Sequence, residues 1–272
     1  MDEVERVLYN NVLTGVSLSG DKYTYQNPLN TDKPDRWEWH VCPCCPPMFL
    51  KIMAAMPGYI YAYQGDNVYV NLFIGSEVRI PVGDNSVRLK QLTSYPWHGA
   101  VSIQVNPDKA STFSMKVRIP GWAQGTENPY DLYQSNLKAP VKLKVNQEDV
   151  LLRIVDGYAE INREWKKGDH IELDLPMQPR LITANKAVEN LRGQVALASG
   201  PIIYCFEDAD NPELQTFKLQ AQTPLELSHD SNLLNGVNII KCQGDIPAKA
   251  IPYYAVANRE ESHSYKVWVP QK

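Results

Sequence analysis

Three thiols fall within four consecutive positions, Cys42, Cys44 and Cys45, with Pro43 between the first two. The other two cysteines, Cys205 and Cys242, lie far away, and neighbours such as Cys44 and Cys45 rarely bridge each other because the ring is strained. The five cysteines therefore do not read as a disulfide framework. Grouped thiols without obvious partners point to metal binding or thiolate chemistry. Cys44 and Cys45 can offer one or two ligands to a zinc ion. A structural zinc site needs four, and Cys42, His40 and Glu38 are too close in sequence to wrap one ion, so zinc would have to draw on a second segment. A buried trio of reduced cysteines is the alternative. Just upstream come Tyr23, Tyr25, Trp37, Trp39 and His40, a dense run of rings for a stretch without regular structure.

The elements that position these residues follow from spacing. Val4, Leu8 and Val12, with Val7 on the same side, predict a short amphipathic helix over residues 1 to 13, opened by acidic residues. Gly15, Gly20, Asn27, Pro28 and Pro34 then break up a long loop that carries the aromatic residues; such loops hold function more often than average. Pro46 and Pro47 open a second helix, since proline is tolerated where the amide has no partner, and Phe49, Ile52, Met53 and Met56 recur at helical spacing until Pro57 and Gly58 stop it. Cys44 and Cys45 thus sit at a helix N-terminus, where free amides and the helix dipole favour a thiolate.

From Tyr59 the pattern changes to period two, as in 59–63, 68–74, 87–92, 101–105 and 113–119. It continues through 141–145, 158–161 and 170–175, and resumes at 195–197, 202–206 and 265–269. These are half-buried strands, with turn signals such as Gly83, Asp84 and Asn85 between them. Almost no helix is expected after residue 58. Proline punctuation at Pro176 and Pro179 divides the strands into two groups whose size suits two antiparallel β-sandwiches. The expected division is 1–58, 59–178 and 179–272, and the expected class is mainly β.

Composition fits an ordinary globular protein: 272 residues, 43% hydrophobic and 21% charged. A net charge of −4 with scattered Lys and Arg gives no basic footprint, so neither nucleic acid nor an anionic membrane surface is an expected partner. No apolar run approaches the roughly 20 residues of a membrane span. The opening Met1, Asp2, Glu3 is unlike the basic start of a signal peptide. His98, His170, His229 and His263 have no partner spacing and are expected at surfaces or edges. Cys205 and Cys242 sit in apolar strand patterns and are expected to be buried.

The run from Cys42 through Cys44, Cys45, Pro46 and Pro47, followed by a helix and then Gly58-Tyr59-Ile-Tyr-Ala and Val68-Tyr-Val-Asn-Leu-Phe73, resembles the signature of the bacterial β-L-arabinofuranosidase families, glycoside hydrolase families 127 and 146. Further similar pieces run along the chain: Leu8-Tyr9-Asn10, Tyr25-Gln-Asn-Pro-Leu29, Arg118-Ile-Pro-Gly-Trp122, Trp165-Lys-Lys-Gly-Asp169, Gly200-Pro201-Ile-Ile-Tyr-Cys205 and Ile251-Pro-Tyr-Tyr-Ala255. The resemblance implies an (α/α)6 barrel followed by β-sandwiches, with only the last helices of the barrel present here. It implies that Cys44 is a nucleophile, that Cys44 and Cys45 bind zinc, and that Tyr25 contacts the sugar. Trp37, Trp39 and His40 are candidate walls of the same pocket, because aromatic faces stack on sugar rings; anchoring the loop is the competing role. The remaining zinc ligands, a glutamate and a cysteine, and the acid/base glutamate would lie upstream, so Glu38 is not assigned that role. On this reading the intact enzyme is a retaining glycosidase acting on arabinose-containing oligosaccharides or glycans, and the chain alone is inactive and holds zinc weakly or not at all. Met48 departs from the small polar residue usual after the two prolines, which bears on substrate more than on the thiols.

Two other readings stand beside this one. The chain is a non-catalytic carbohydrate-binding or interaction module, or Cys42, Cys44 and Cys45 form a structural zinc or redox site. The protein partners to be expected are a second copy of the chain or the missing N-terminal barrel.

Overall fold

The computed structural model describes residues 1–137, 139–244 and 246–272. The chain divides into two compact units, one built mainly from 54–124 and 138–177, the other from 2–53, 125–137 and 178–272. The break near residue 178 coincides with the proline punctuation. Residues 2–53, set apart in the expected division, pack within the second unit, and 125–137 joins them there.

The first unit is a sandwich. One sheet has six strands in the order Glu148–Asp149, Lys142–Val145, Asp169–Asp174, Ala100–Pro107, Asn85–Thr93 and Ser76–Val82. The other has five, in the order Ile154–Val155, Tyr158–Trp165, Ser111–Arg118, Asn67–Val70 and Tyr61–Gln64. Period-two alternation buries Val87 and Leu89 from one strand, Val101, Ile103 and Val105 from the next, and Val68, Val70, Met115 and Val117 from the other sheet. The unit is not wholly antiparallel: Asn67–Val70 pairs parallel with Ser111–Arg118. A parallel pair needs a crossover, and here the intervening chain supplies it by forming three strands of the six-stranded sheet. Gly99 sits where a side chain is sterically forbidden, because a Cβ there would lie 1.9 Å from the carbonyl oxygen of Leu175.

In the second unit the described residues join in one branched ten-stranded sheet. Its main path runs Leu225–Asp230, Val237–Cys242, Ala248–Pro252, Ile202–Glu207, Gln194–Ser199, Arg180–Ala184 and Tyr133–Ser135. The hairpin Gln194–Ser199/Ile202–Glu207 is paired only near its turn, and its open arms bond to the C-terminal strands instead. Val195 faces Val269, and Phe206 faces Lys266. Asn30–Thr31 pairs with the short strand Tyr265–Lys266, which ties the aromatic loop to this sheet.

The N-terminal helix departs from the expected 1–13. Asp2–Val7 is α-helical, and Leu8–Val12 continues as a wider π-type turn. Leu8 is buried as expected, but Val7 is exposed. Asn10 is buried instead, because its side-chain amide donates to the carbonyls of Arg6 and Pro201 and accepts from the backbone amide of Ile203. Pro57 does not end the second helical region outright either. Cys45–Ala55 is followed by one further turn, Pro57–Ile60, so the first strand of the sandwich begins at Tyr61 rather than Tyr59. Strands Ser76–Val82, Arg180–Ala184, Leu225–Asp230, Val237–Cys242 and Ala248–Pro252 add to those expected. No helix among the described residues is long and apolar enough to cross a membrane.

Candidate functional site

The cysteine segment is held from behind by backbone bonds and a half-buried cation. Tyr23 and Trp37 exchange backbone hydrogen bonds of 2.9 and 2.8 Å, bringing the two ends of the aromatic loop side by side. The Arg36 guanidinium donates to the carbonyl of Thr14 and twice to that of Val256, joining the end of the first helix, the loop and the C-terminal sheet. Burial draws Arg36 down to about 10, opposed by Tyr265 and Glu207, so it stays charged at neutral pH. The hydroxyls of Tyr253 and Tyr265 both donate to the carbonyl of Pro28.

On this support, Tyr25, Trp37 and His40 form a stack. Ring centroids are 5.8 Å apart for Tyr25 and Trp37, 4.7 Å for Tyr25 and His40, and 4.4 Å for Trp37 and His40. Trp39 does not join them and is 73% exposed. The backbone N–H of Cys42 donates to Nδ1 of His40 at 3.2 Å, which fixes the thiol segment against the stack. Cys44 is exposed and precedes the helix Cys45–Ala55, whose first turn closes through the Met48 amide and the Cys44 carbonyl at 3.4 Å. The expected helix start is therefore present. The helix buries none of its residues: Phe49, Ile52 and Met53 are half-buried, and Met48 and Leu50 are exposed.

The sulfurs of Cys42 and Cys44 lie 3.9 Å apart. Two thiolates on a tetrahedral zinc, each at about 2.3 Å, are separated by roughly 3.8 Å, so this pair matches two corners of such a site. The donors fit zinc in type but not in number: among the described residues no group of three or more His, Cys, Asp or Glu is placed to hold a metal ion. Tyr23 is the residue that sequence reasoning missed. Its hydroxyl is buried without a hydrogen-bond partner of normal geometry among the described residues. Burial, and after it the nearby Cys45 thiol, push the phenol up, while the His40 backbone opposes them. The signal available in the sequence is the alternation of Tyr23 and Tyr25, which places both on one face of an extended segment.

The profile of the β-L-arabinofuranosidase GH127 catalytic domain matches residues 1–58, that of the GH127 middle domain matches 67–177, and that of the family 127 C-terminal domain matches 179–270. This chain belongs to glycoside hydrolase family 127. A non-reducing end β-L-arabinofuranosidase of Bifidobacterium longum subsp. longum is 29% identical over 309 aligned positions, covering 95% of this chain and 44% of that protein. The solved structure of a GH127 β-arabinofuranosidase superposes with a TM-score of 0.92 at 34% identity, covering 100% of this chain and 45% of the other. That of a GH127 β-L-arabinofuranosidase from Geobacillus stearothermophilus T6 gives 0.89 at 34% identity, with 100% and 46% covered. The chain thus spans less than half the length of these family 127 relatives.

Proposed function

We propose that this chain forms the thiol-bearing portion of a retaining glycoside hydrolase that releases β-L-arabinofuranose or a related sugar from a glycan, with Cys44 as nucleophile. The observation that carries the reading is an exposed Cys44 at a helix start, fixed through Cys42 to the stacked rings of Tyr25, Trp37 and His40. Sulfur Sγ of Cys44 attacks the anomeric carbon, forming a C–S bond as the glycosidic C–O bond breaks. The leaving oxygen takes a proton from an acid that we place outside these 272 residues. Water then displaces the sulfur at the same carbon, giving a proton to the conjugate base of that acid as the C–S bond breaks and the Cys44 thiolate is regenerated, and two inversions give net retention. Tyr25, Trp37 and His40 hold the sugar face, and Trp39 borders the same site. Cys44 and Cys45 would hold zinc with ligands from an upstream segment, and the bound cation would supply the positive charge that favours a thiolate. An upstream (α/α)6 barrel supplying that segment is part of the proposal, and without it the chain is inactive.

The test is hydrolysis of an aryl β-L-arabinofuranoside by the full-length protein and its Cys44→Ala variant. Loss of roughly a thousandfold or more in kcat, with the fold intact, is expected for removal of a nucleophile. Retained activity would refute the assignment.

A further inference from the structure

A cavity of about 160 Å3 lies in the second unit, with none of the thiols in its lining. Its floor is a patch of sheet in which Ile182 and Ala196 stand directly opposite each other on neighbouring strands. The rings of Tyr133 and Trp268 line it, with centroids 5.8 Å apart and planes tilted by 31°. Arg6 lines it from the first helix.

The polar groups around the cavity are unequally satisfied. Glu127 is buried, and its two carboxylate oxygens accept from Arg180 at 2.6 and 3.0 Å, while Arg180 also donates to the carbonyl of Gly200. Burial raises the Glu127 carboxyl, but the Arg180 bonds and charge outweigh it and hold the group below its ordinary value. Glu127 is therefore an anion already neutralised by Arg180. The half-buried Arg6 guanidinium has no hydrogen bond or ion pair among the described residues, although it lies close enough to lower Glu127 further. Arg6 and Arg180 against Glu127 leave one positive charge over beside an aromatic and aliphatic wall. A planar guanidinium with open donors matches a carboxylate. A cavity of roughly 150 Å3 accommodates about one six-membered ring.

We propose that this cavity binds a small carboxylate carried on a single ring, with Arg6 taking the carboxylate and the Tyr133 and Trp268 side packing against the ring. A uronic acid and an aromatic acid share this chemistry. The inference does not depend on the reaction assigned to Cys44.

Saturation-transfer NMR and titration calorimetry on the 272-residue chain would test it, using glucuronate, benzoate and, as the neutral control, glucose. Binding of glucuronate, of benzoate or of both supports the site and tells the two sources apart. Arg6→Gln should weaken that binding about tenfold, the loss expected for one charge-assisted contact. Ala196→Leu should abolish it by filling the floor; because that buried change can disturb the sheet, the half-buried Arg6→Gln is the deciding variant, with circular dichroism as the check on folding. Failure of both carboxylates to bind, glucose binding as tightly as glucuronate, or unchanged affinity in Arg6→Gln would overturn the proposal.

Discussion

Two regions of this chain gather aromatic residues and use them in opposite ways. In the first sandwich, Phe113 and Trp165 pack with centroids 6.0 Å apart, and the indole of Trp165 is fully buried and donates to the carbonyl of Phe113 at 3.1 Å. In the thiol segment, Tyr25, Trp37 and His40 stack just as closely while Tyr25 remains 42% exposed and Cys42 and Cys44 lie open. The difference is what covers them. Sandwich aromatics have a second sheet above; the loop that carries Tyr25, Trp37 and His40 is fixed by Arg36 and backbone bonds, and Tyr25 stays exposed. Rings held rigidly yet left open suit binding, and sealed rings suit stability.

The largest contrast should appear in thiol access. Cys42 and Cys44 should alkylate on the order of a thousandfold faster than Cys205 and Cys242 in the folded chain, because access and thiolate character set the rate. Cys205 and Cys242 are buried, and burial pushes the Cys242 thiol up to about 12 and raises Cys205 as well. Mass spectrometry after timed iodoacetamide labelling measures this, and equal rates would erase the distinction. Next, Trp165→Ala should destabilise the chain by about 4 kcal/mol, from lost burial and a cavity. Denaturant unfolding reads that loss, and the labelling rate of Cys44 should not change with it.

Glu127→Gln should cost about 3 kcal/mol near neutral pH, because it leaves the buried Arg180 without its counter-charge. The Glu127 carboxyl is held below its ordinary value of 4.5, so its contribution is present above that pH and is lost as pH falls through the lower folded value. The gap in Tm between the wild type and Glu127→Gln should accordingly narrow below pH 4.5. A gap independent of pH would remove the ion pair as its cause. The smallest effect is expected for Trp39→Ala, within about 0.5 kcal/mol of wild-type stability, since the residue is largely exposed. A larger loss would mean that Trp39 belongs with the sealed aromatics.

Much of the first sandwich was legible because its longer strands, such as Asn85–Thr93, Ala100–Pro107 and Asp169–Asp174, are covered on one face, which imposes a period of two. In the second unit the reading was poorer. Gln194–Ser199 is almost wholly buried, as is Val237–Cys242, so strict alternation is absent there. The helix start at Cys45 was legible from Pro46 and Pro47, but the pairing of Cys42 with Cys44 was not, because sulfur separation depends on side-chain direction. Tyr23 was overlooked for the same reason: among several loop aromatics, only tertiary packing shows which hydroxyl is buried.

The sequence by itself determined the strand-rich character, the helix start beneath Cys44 and the clustering of thiols and aromatics, since all three follow from local spacing and the fixed geometry of proline. Tertiary structure decided which rings stack, which remain exposed, how residues 2–53 join the C-terminal sheet, and which cation beside a cavity is left without a partner among the described residues. Those outcomes depend on contacts between residues far apart in the chain, as between Arg36 and Val256 or Glu127 and Arg180, and no local pattern encodes them.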